Sequence, residues 1–262
     1  TLVLVPTREL AVQVGDVLTS DPAVAETIQS GPGNDTITGS SDDVLNLSQT
    51  INASGVTPVT GNLSVNLASG TATDASGLLG TDTLVGIQNV NTGAGADSVT
   101  GSSAANRIDA GDGADVIDGG AGADTILAGA GADQVVFDVL DSIDGGSGTD
   151  SLVIKTTTLD LRTVTTPQVS NLEVLDLQSD TGPNEVVLTK AFVDAMGATT
   201  TPVKIEGGTN DVLRLANDAA NPLTPIWYRE PTLDIPAKRR IHFHAFMLEV
   251  HGLLREERKK ES

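Results

Sequence analysis

Between Asp97 and Asp133 an aspartate or asparagine recurs every nine positions: Asp97, Asn106, Asp115, Asp124 and Asp133. With that residue at position six, five frames follow without a gap. They are TGAGADSVT from Thr92, GSSAANRID from Gly101, AGDGADVID from Ala110, GGAGADTIL from Gly119 and AGAGADQVV from Ala128. Glycine fills positions two and four in four of the five, as Gly93 and Gly95, Gly111 and Gly113, Gly120 and Gly122, Gly129 and Gly131. Position eight is always aliphatic: Val99, Ile108, Ile117, Ile126 and Val135. SGPGNDTIT from Ser30 places Asp35 at position six, GLLGTDTLV from Gly77 fits the same template, and GGSGTDSLV from Gly145, carrying Asp150, fits one residue out of phase.

The chemistry of such a frame is cation binding. Glycine lets the backbone take left-handed or tight turns that a β-carbon forbids, which aims carbonyl oxygens inward. The aspartate sets a carboxylate beside them, and position eight starts a short strand with one side chain for a core. Two nine-residue halves close a flattened coil of 18 residues. Turns 18 apart then stack, with Asp97, Asp115 and Asp133 on one edge and Asn106 and Asp124 on the other. Stacked strands lie ~4.8 Å apart. Carboxylates at about 5 Å repel by roughly 3 kcal/mol at an effective dielectric of ~20. One buried Val or Ile returns about 1.5–3 kcal/mol, so the coil is expected to be unstable when empty. A divalent cation among six to eight carboxylate and carbonyl oxygens turns the repulsion into coordination, and that oxygen count suits Ca2+ better than Mg2+. A disordered linker has no reason to keep an aliphatic residue at every position eight.

The composition agrees. The chain has 262 residues, 28 glycines, no cysteine and 2% aromatics, so disulfides and thiolate-bound metals are excluded and the core is thin and aliphatic. Its net charge of −20 repels phosphate, which argues against nucleic acid and for a hard cation. No run of ~18 apolar residues occurs, so no membrane span is expected. The opening TLVLVP is too short for a signal-peptide core, which fits either a fragment of a longer protein or export without a cleaved leader.

The frames resemble the GGxGxDxUx repeats of the RTX (hemolysin-type) calcium-binding proteins. GNLSVNLASGTATDASGLLGTDTLVGIQNV, from Gly61 to Val90, and VSNLEVLDL, from Val169 to Leu177, are similar to the flanks of such repeats, so the likeness spans roughly residues 29–218. It implies a mainly β fold with a parallel β-roll and Ca2+ in the turns. It implies Asp97, Asp115, Asp124 and Asp133 as side-chain ligands, joined by Asp150 and Asp35, with the paired glycines shaping the sites. Asn106 departs from the pattern and lacks glycine at its position four, which implies a weak or empty site. The stretch Phe137–Ile143 breaks the register, and the roll is expected to end or bulge there. The likeness further implies a non-enzymatic, monomeric, extracellular module of a larger exoprotein or adhesin, exported by type I secretion from a Gram-negative bacterium. Calcium ions are its partner, with a cell-surface or glycan target if the module is adhesive.

The two ends read differently. Residues 1–20 suggest a strand, a turn and a helix, and LVLVPTREL resembles motif Ia of DEAD-box helicases. Residues 21–90 read as β-rich, 91–155 as the roll, 156–218 as a β-rich flank with one helix near Leu188–Met196, and 219–236 as a Pro-rich linker. Residues 237–262 carry seven basic and four acidic side chains and read as an amphipathic helix with Ile241, Phe243, Phe246, Met247, Val250, Leu253 and Leu254 on one face. TLDIPAKRRIHFHAFMLEVHGLLRE, from Thr232, resembles Afg-type (ZapE-like) P-loop ATPases. The chain therefore reads as a composite, which a natural fusion and an artificial join would both explain. A nucleotide-linked ATPase or helicase remnant is one rival reading and a structural or adhesive rod another. No GxxxxGK[ST] loop occurs, so nucleotide hydrolysis is not expected. His242, His244 and His251 lack HExxH spacing and read as helix-surface or packing residues, and Lys238–Arg240 as a solvated helix start.

Overall fold

Several short strands of this chain bury one aliphatic residue between two less buried ones: RID at Arg107–Asp109, TIL at Thr125–Leu127 and SID at Ser142–Asp144 each bury only their central side chain. The β-branched residue suits a pleated strand, and the flanking glycine turns limit its length. The computed structural model describes residues 3–4, 9–11, 17–21, 25–52, 55–163, 168–177, 184–197, 203–207, 211–216 and 226–228. They fall into two compact units, Thr1–Asp150 and Ser151–Ser262.

In the first unit the chain alternates between two parallel ladders. One runs through Glu9–Ala11, Thr27–Gln29, Val44–Asn46, Asn89–Asn91, Arg107–Asp109, Thr125–Leu127 and Ser142–Asp144. Its register stacks Ile28, Leu45, Val90, Ile108, Ile126 and Ile143 in one buried column. The other runs through Leu63–Asn66, Ser98–Ser102, Val116–Gly120 and Gln134–Val136, and stacks Val65, Val99, Ile117 and Val135, each at most 1% exposed. Each fully buried Val or Ile contributes about 1.5–3 kcal/mol. The fold is thus mainly β, with the parallel pairing of a β-roll.

Before the regular coils lies an antiparallel meander of Leu63–Asn66, Thr71–Asp74 and Thr81–Val85. Its last strand pairs in parallel with Thr36–Thr38, which pairs in turn with Val17–Thr19. The second unit also alternates between two parallel sets. These are Ser151–Val153 with Val174–Asp176 and Lys204–Glu206, and Thr158–Asp160 with Glu185–Thr189 and Val212–Ala216. A short helix, Lys190–Ala195, is capped by the Thr189 side chain, which accepts the Phe192 N–H.

Three expectations meet a different structure. Strands Glu9–Ala11 and Val17–Thr19 occupy the stretch read as a helix, because each extends a parallel ladder, and such pairing outweighs local helical periodicity. The register breaks at Phe137–Ile143 as expected, by one residue, but the roll does not end there: Ser142–Asp144 pairs with Thr125–Leu127 in a coil 17 residues long instead of 18. Within the stretch read as a linker, Ile226–Tyr228 pairs antiparallel with Val212–Ala216. The basic C-terminal stretch 237–262 lies outside the described residues.

Candidate metal centre

Turns joining the two ladders stack directly. Asp112 donates its N–H to the Gly93 carbonyl at 2.6 Å, Ala130 to Gly111 at 2.7 Å and Ser147 to Gly129 at 2.7 Å. The packing explains the second glycine of each pair. A β-carbon on Gly113 would lie 1.8 Å from the Gly95 carbonyl oxygen, and one on Gly131 would lie 1.4 Å from that of Gly113. Both residues also have positive φ, 149° and 156°. Glycine is required there by space as well as by backbone conformation.

At position six each aspartate divides its two oxygens between two tasks. Oδ1 accepts the backbone N–H of the equivalent residue one coil earlier. Asp115 accepts from Asp97 at 2.7 Å, Asp133 from Asp115 at 2.8 Å and Asp150 from Asp133 at 2.9 Å. On the opposite edge Asp124 accepts from Asn106 at 2.8 Å and Asp141 from Asp124 at 3.0 Å. The column continues upward where Asp97 accepts the Leu63 N–H at 2.7 Å. The second oxygen, Oδ2, is buried in Asp97, Asp115, Asp124 and Asp133 and has no hydrogen-bond partner among the described residues. A buried polar atom left unsatisfied costs about 1–3 kcal/mol, and more when charged.

Electrostatics records the same tension. Burial pushes the Asp115 carboxyl up to about 6, and the nearby charges of Asp97, Asp133 and Asp112 add to it. Burial likewise raises Asp97, Asp124 and Asp133. Asp141 rises to about 7, through burial first and then through Asp124, Asp138 and Asp118. Among the described residues no group of three or more His, Cys, Asp or Glu side chains converges on one point. A cation here must draw most of its oxygens from the backbone, as a hard ion with many ligands can.

The structure gathers Asp97, Asp115, Asp133 and Asp150 into one column and Asn106 and Asp124 into another. Asp35 belongs to neither: it stacks with Asp82, whose Oδ1 accepts the Asp35 N–H at 2.9 Å. Three aspartates in equivalent slots escaped the sequence reading. Asp82 is position six of the frame from Gly77. Asp43 accepts the Glu26 N–H at 2.8 Å, in a frame that overlaps its predecessor by one residue. Asp141 has no glycine among the five residues before it and is signalled only by Ile143 two residues on. Asn106 behaves unlike the aspartates. Its Oδ1 accepts the Ser102 N–H at 2.6 Å, and its Nδ2 donates to the Gln88 carbonyl at 2.7 Å.

Against known families, the model of the RTX calcium-binding nonapeptide repeat (4 copies) matches residues 24–47, 85–115 and 100–135, less than half of the chain. A comparison with curated proteins finds no match. Over the matched residues the chain is similar to that repeat family. Repeats of this kind bind Ca2+, which makes calcium the cofactor of the β-roll.

Proposed function

We propose that this chain is the calcium-responsive β-roll of a secreted exoprotein or adhesin, and that it orders on meeting calcium. The observation that carries this reading is the row of buried, unpartnered Oδ2 atoms on Asp97, Asp115, Asp124 and Asp133. Each is an acceptor with no donor among the described residues, next to a glycine turn. These four aspartates, with Asp150 and the carbonyls of the turns Gly93–Gly95, Gly111–Gly113, Gly120–Gly122 and Gly129–Gly131, would hold the ions. Calcium supplies the positive charge that the stacked carboxylates lack. Where calcium is scarce, repulsion among the stacked carboxylates of a chain of net charge −20 keeps the repeats open. In the millimolar range typical of weak extracellular sites, coordination closes them. The role is structural and not catalytic. Among the described residues no helix is long and apolar enough to cross a membrane.

Far-UV circular dichroism of the whole chain during a calcium titration tests this, with magnesium as the control. A cooperative gain of β signal with calcium alone is expected. An unchanged spectrum up to 10-fold above ~1 mM calcium, the weak end of extracellular sites, would sink the reading.

A further inference from the structure

Among the described residues, the buried carboxylate oxygens without a hydrogen-bond partner fall in one part of the first unit, from Asp97 onward. Upstream of the regular coils, the aspartates of the turns are hydrogen-bonded by the protein itself. Asp43 Oδ2 accepts the Ser20 hydroxyl at 2.5 Å and the Ser40 N–H at 2.6 Å, while its Oδ1 takes the Glu26 N–H. Asp74 accepts four donors: the Ser76 N–H and hydroxyl at 2.8 and 2.7 Å, and the Leu78 and Leu79 N–H groups at 2.7 and 3.0 Å. Asp82 Oδ2 accepts the Ser30 hydroxyl at 2.7 Å. Elsewhere a neutral amide stands at the turn. Asn34 accepts the Thr81 N–H at 2.9 Å, and Asn62 accepts the Ala96 N–H at 3.0 Å.

On one edge the amide of Asn106 extends this self-sufficiency into the first nonapeptides, while on the other edge Asp97 already keeps a buried Oδ2 with no partner among the described residues. Both polar atoms of the Asn106 amide are used, on Ser102 and on Gln88. An amide nitrogen is a donor and cannot ligate a cation. Beyond it, Asp115, Asp124 and Asp133 each keep one oxygen unmatched.

We propose that residues 25–91 form a base that folds without calcium, and that the coils from Gly111 to Asp150 assemble on it only when calcium is present. This inference rests on the calcium-binding reading above. The base would offer preformed strands, Leu63–Asn66 and Asn89–Asn91, to which Ser98–Ser102 and Arg107–Asp109 pair. In a solenoid each coil is stabilised mainly by its neighbour, so an ordered first coil spares the rest the unfavourable nucleation step. Calcium-driven order would then spread in one direction, from Asp97 towards Asp150, and Asn106 would close the first turn on its edge without an ion.

Hydrogen exchange of the full chain, followed by mass spectrometry in chelator and in millimolar calcium, decides this, with calorimetric calcium binding measured on the same sample. In chelator, peptides within 63–91 are expected to exchange at least ~100-fold more slowly than an open chain, while those within 111–136 exchange freely. In calcium both sets are expected to be slow. If calcium binds but both sets are open in chelator, the roll is one cooperative unit and the base is refuted while the calcium reading stands. If both sets stay protected in chelator while calcium still binds, the coils need no ion to assemble and the proposal fails. If protection is identical in both buffers and no binding heat appears, the calcium reading falls and takes the proposal with it.

Discussion

Asp133 and Asp115 occupy the same position in successive coils, and the Asp133 Oδ1 accepts the Asp115 backbone N–H at 2.8 Å. The other oxygen of the Asp133 carboxylate is buried with no hydrogen-bond partner among the described residues. One side chain therefore holds two coils together and also presents a charge that the protein leaves uncompensated.

Asp115→Asn keeps an acceptor for the Asp97 N–H but removes the charge. Calcium-free protein is expected to gain about 1 kcal/mol of stability, since one repelling carboxylate disappears from a partly screened site. Calcium affinity is expected to fall about tenfold or more with the lost ligand charge. Far-UV circular dichroism in chelator, where the variant should show more β signal than the parent chain, and a calcium titration would be compared. A loss of β signal in chelator would show that the carboxylate is not a burden to the empty roll.

Acid is expected to substitute in part for calcium. Asp115 and Asp82 titrate near 6 and Asp141 near 7 in the folded chain, above the ordinary carboxylate value of 3.8. The folded state therefore binds these protons more tightly than the unfolded state. Their stabilisation is complete below about pH 3.8 and is lost as pH rises through 6 to 7. Calcium-stripped protein should gain β signal in circular dichroism between pH 8 and pH 5. Asp43 and Asp74 have the opposite sign. Burial pushes both upward, but hydrogen bonds, chiefly from the Ser20 hydroxyl to Asp43 and the Ser76 hydroxyl to Asp74, outweigh it and hold them low. Their contribution is lost only as pH falls below the ordinary carboxylate range.

Gly113→Ala and Gly77→Ala separate space from backbone conformation. Both glycines have positive φ, 149° and 75°. A β-carbon on Gly77 meets nothing within 4 Å, whereas one on Gly113 strikes the Gly95 carbonyl at 1.8 Å. Gly77→Ala is expected to cost about 1–2 kcal/mol from φ alone. Gly113→Ala should cost clearly more and weaken calcium binding as well. Equal losses in thermal unfolding would show that stacked turns have room to spread.

Ile117→Ala tests the core column. Ile117 is 0% exposed and pairs in register with Val99 and Val135. A loss of about 2–5 kcal/mol is expected in calcium-saturated protein. Val116→Ala, next to it on the exposed side of the same strand, should change stability by less than about 0.5 kcal/mol. Similar effects from both would mean that the strand is not buried on one face alone.

Much of the roll could be read directly from spacing. An aspartate and an aliphatic residue two positions apart, repeated at nine, place Asp97, Asp115 and Asp133 on one edge and Ile117 in the core. The glycine pairs marked the turns. Asp141 was hidden because Phe137–Leu140 carries no glycine and shortens its coil to 17 residues. The strands Glu9–Ala11 and Val17–Thr19 were hidden for a different reason: their local pattern suits a helix, and only their partners Thr27–Gln29 and Thr36–Thr38 make them strands.

What the sequence alone determined is therefore the repeating part: a strand of one buried aliphatic, a glycine turn, a carboxylate and an 18-residue coil. Periodicity encodes these because each coil repeats the contacts of the one before. Which carboxylates find hydrogen-bond donors depends instead on long-range packing. Asp82 meets Ser30 across 52 residues, Asp43 meets Ser20 across 23, and Asn106 reaches Gln88 across 18. Asp115, Asp124 and Asp133 are each left with one buried oxygen unpaired. Hydrogen bonds of this kind depend on where distant strands fall in register, and no local pattern carries that information.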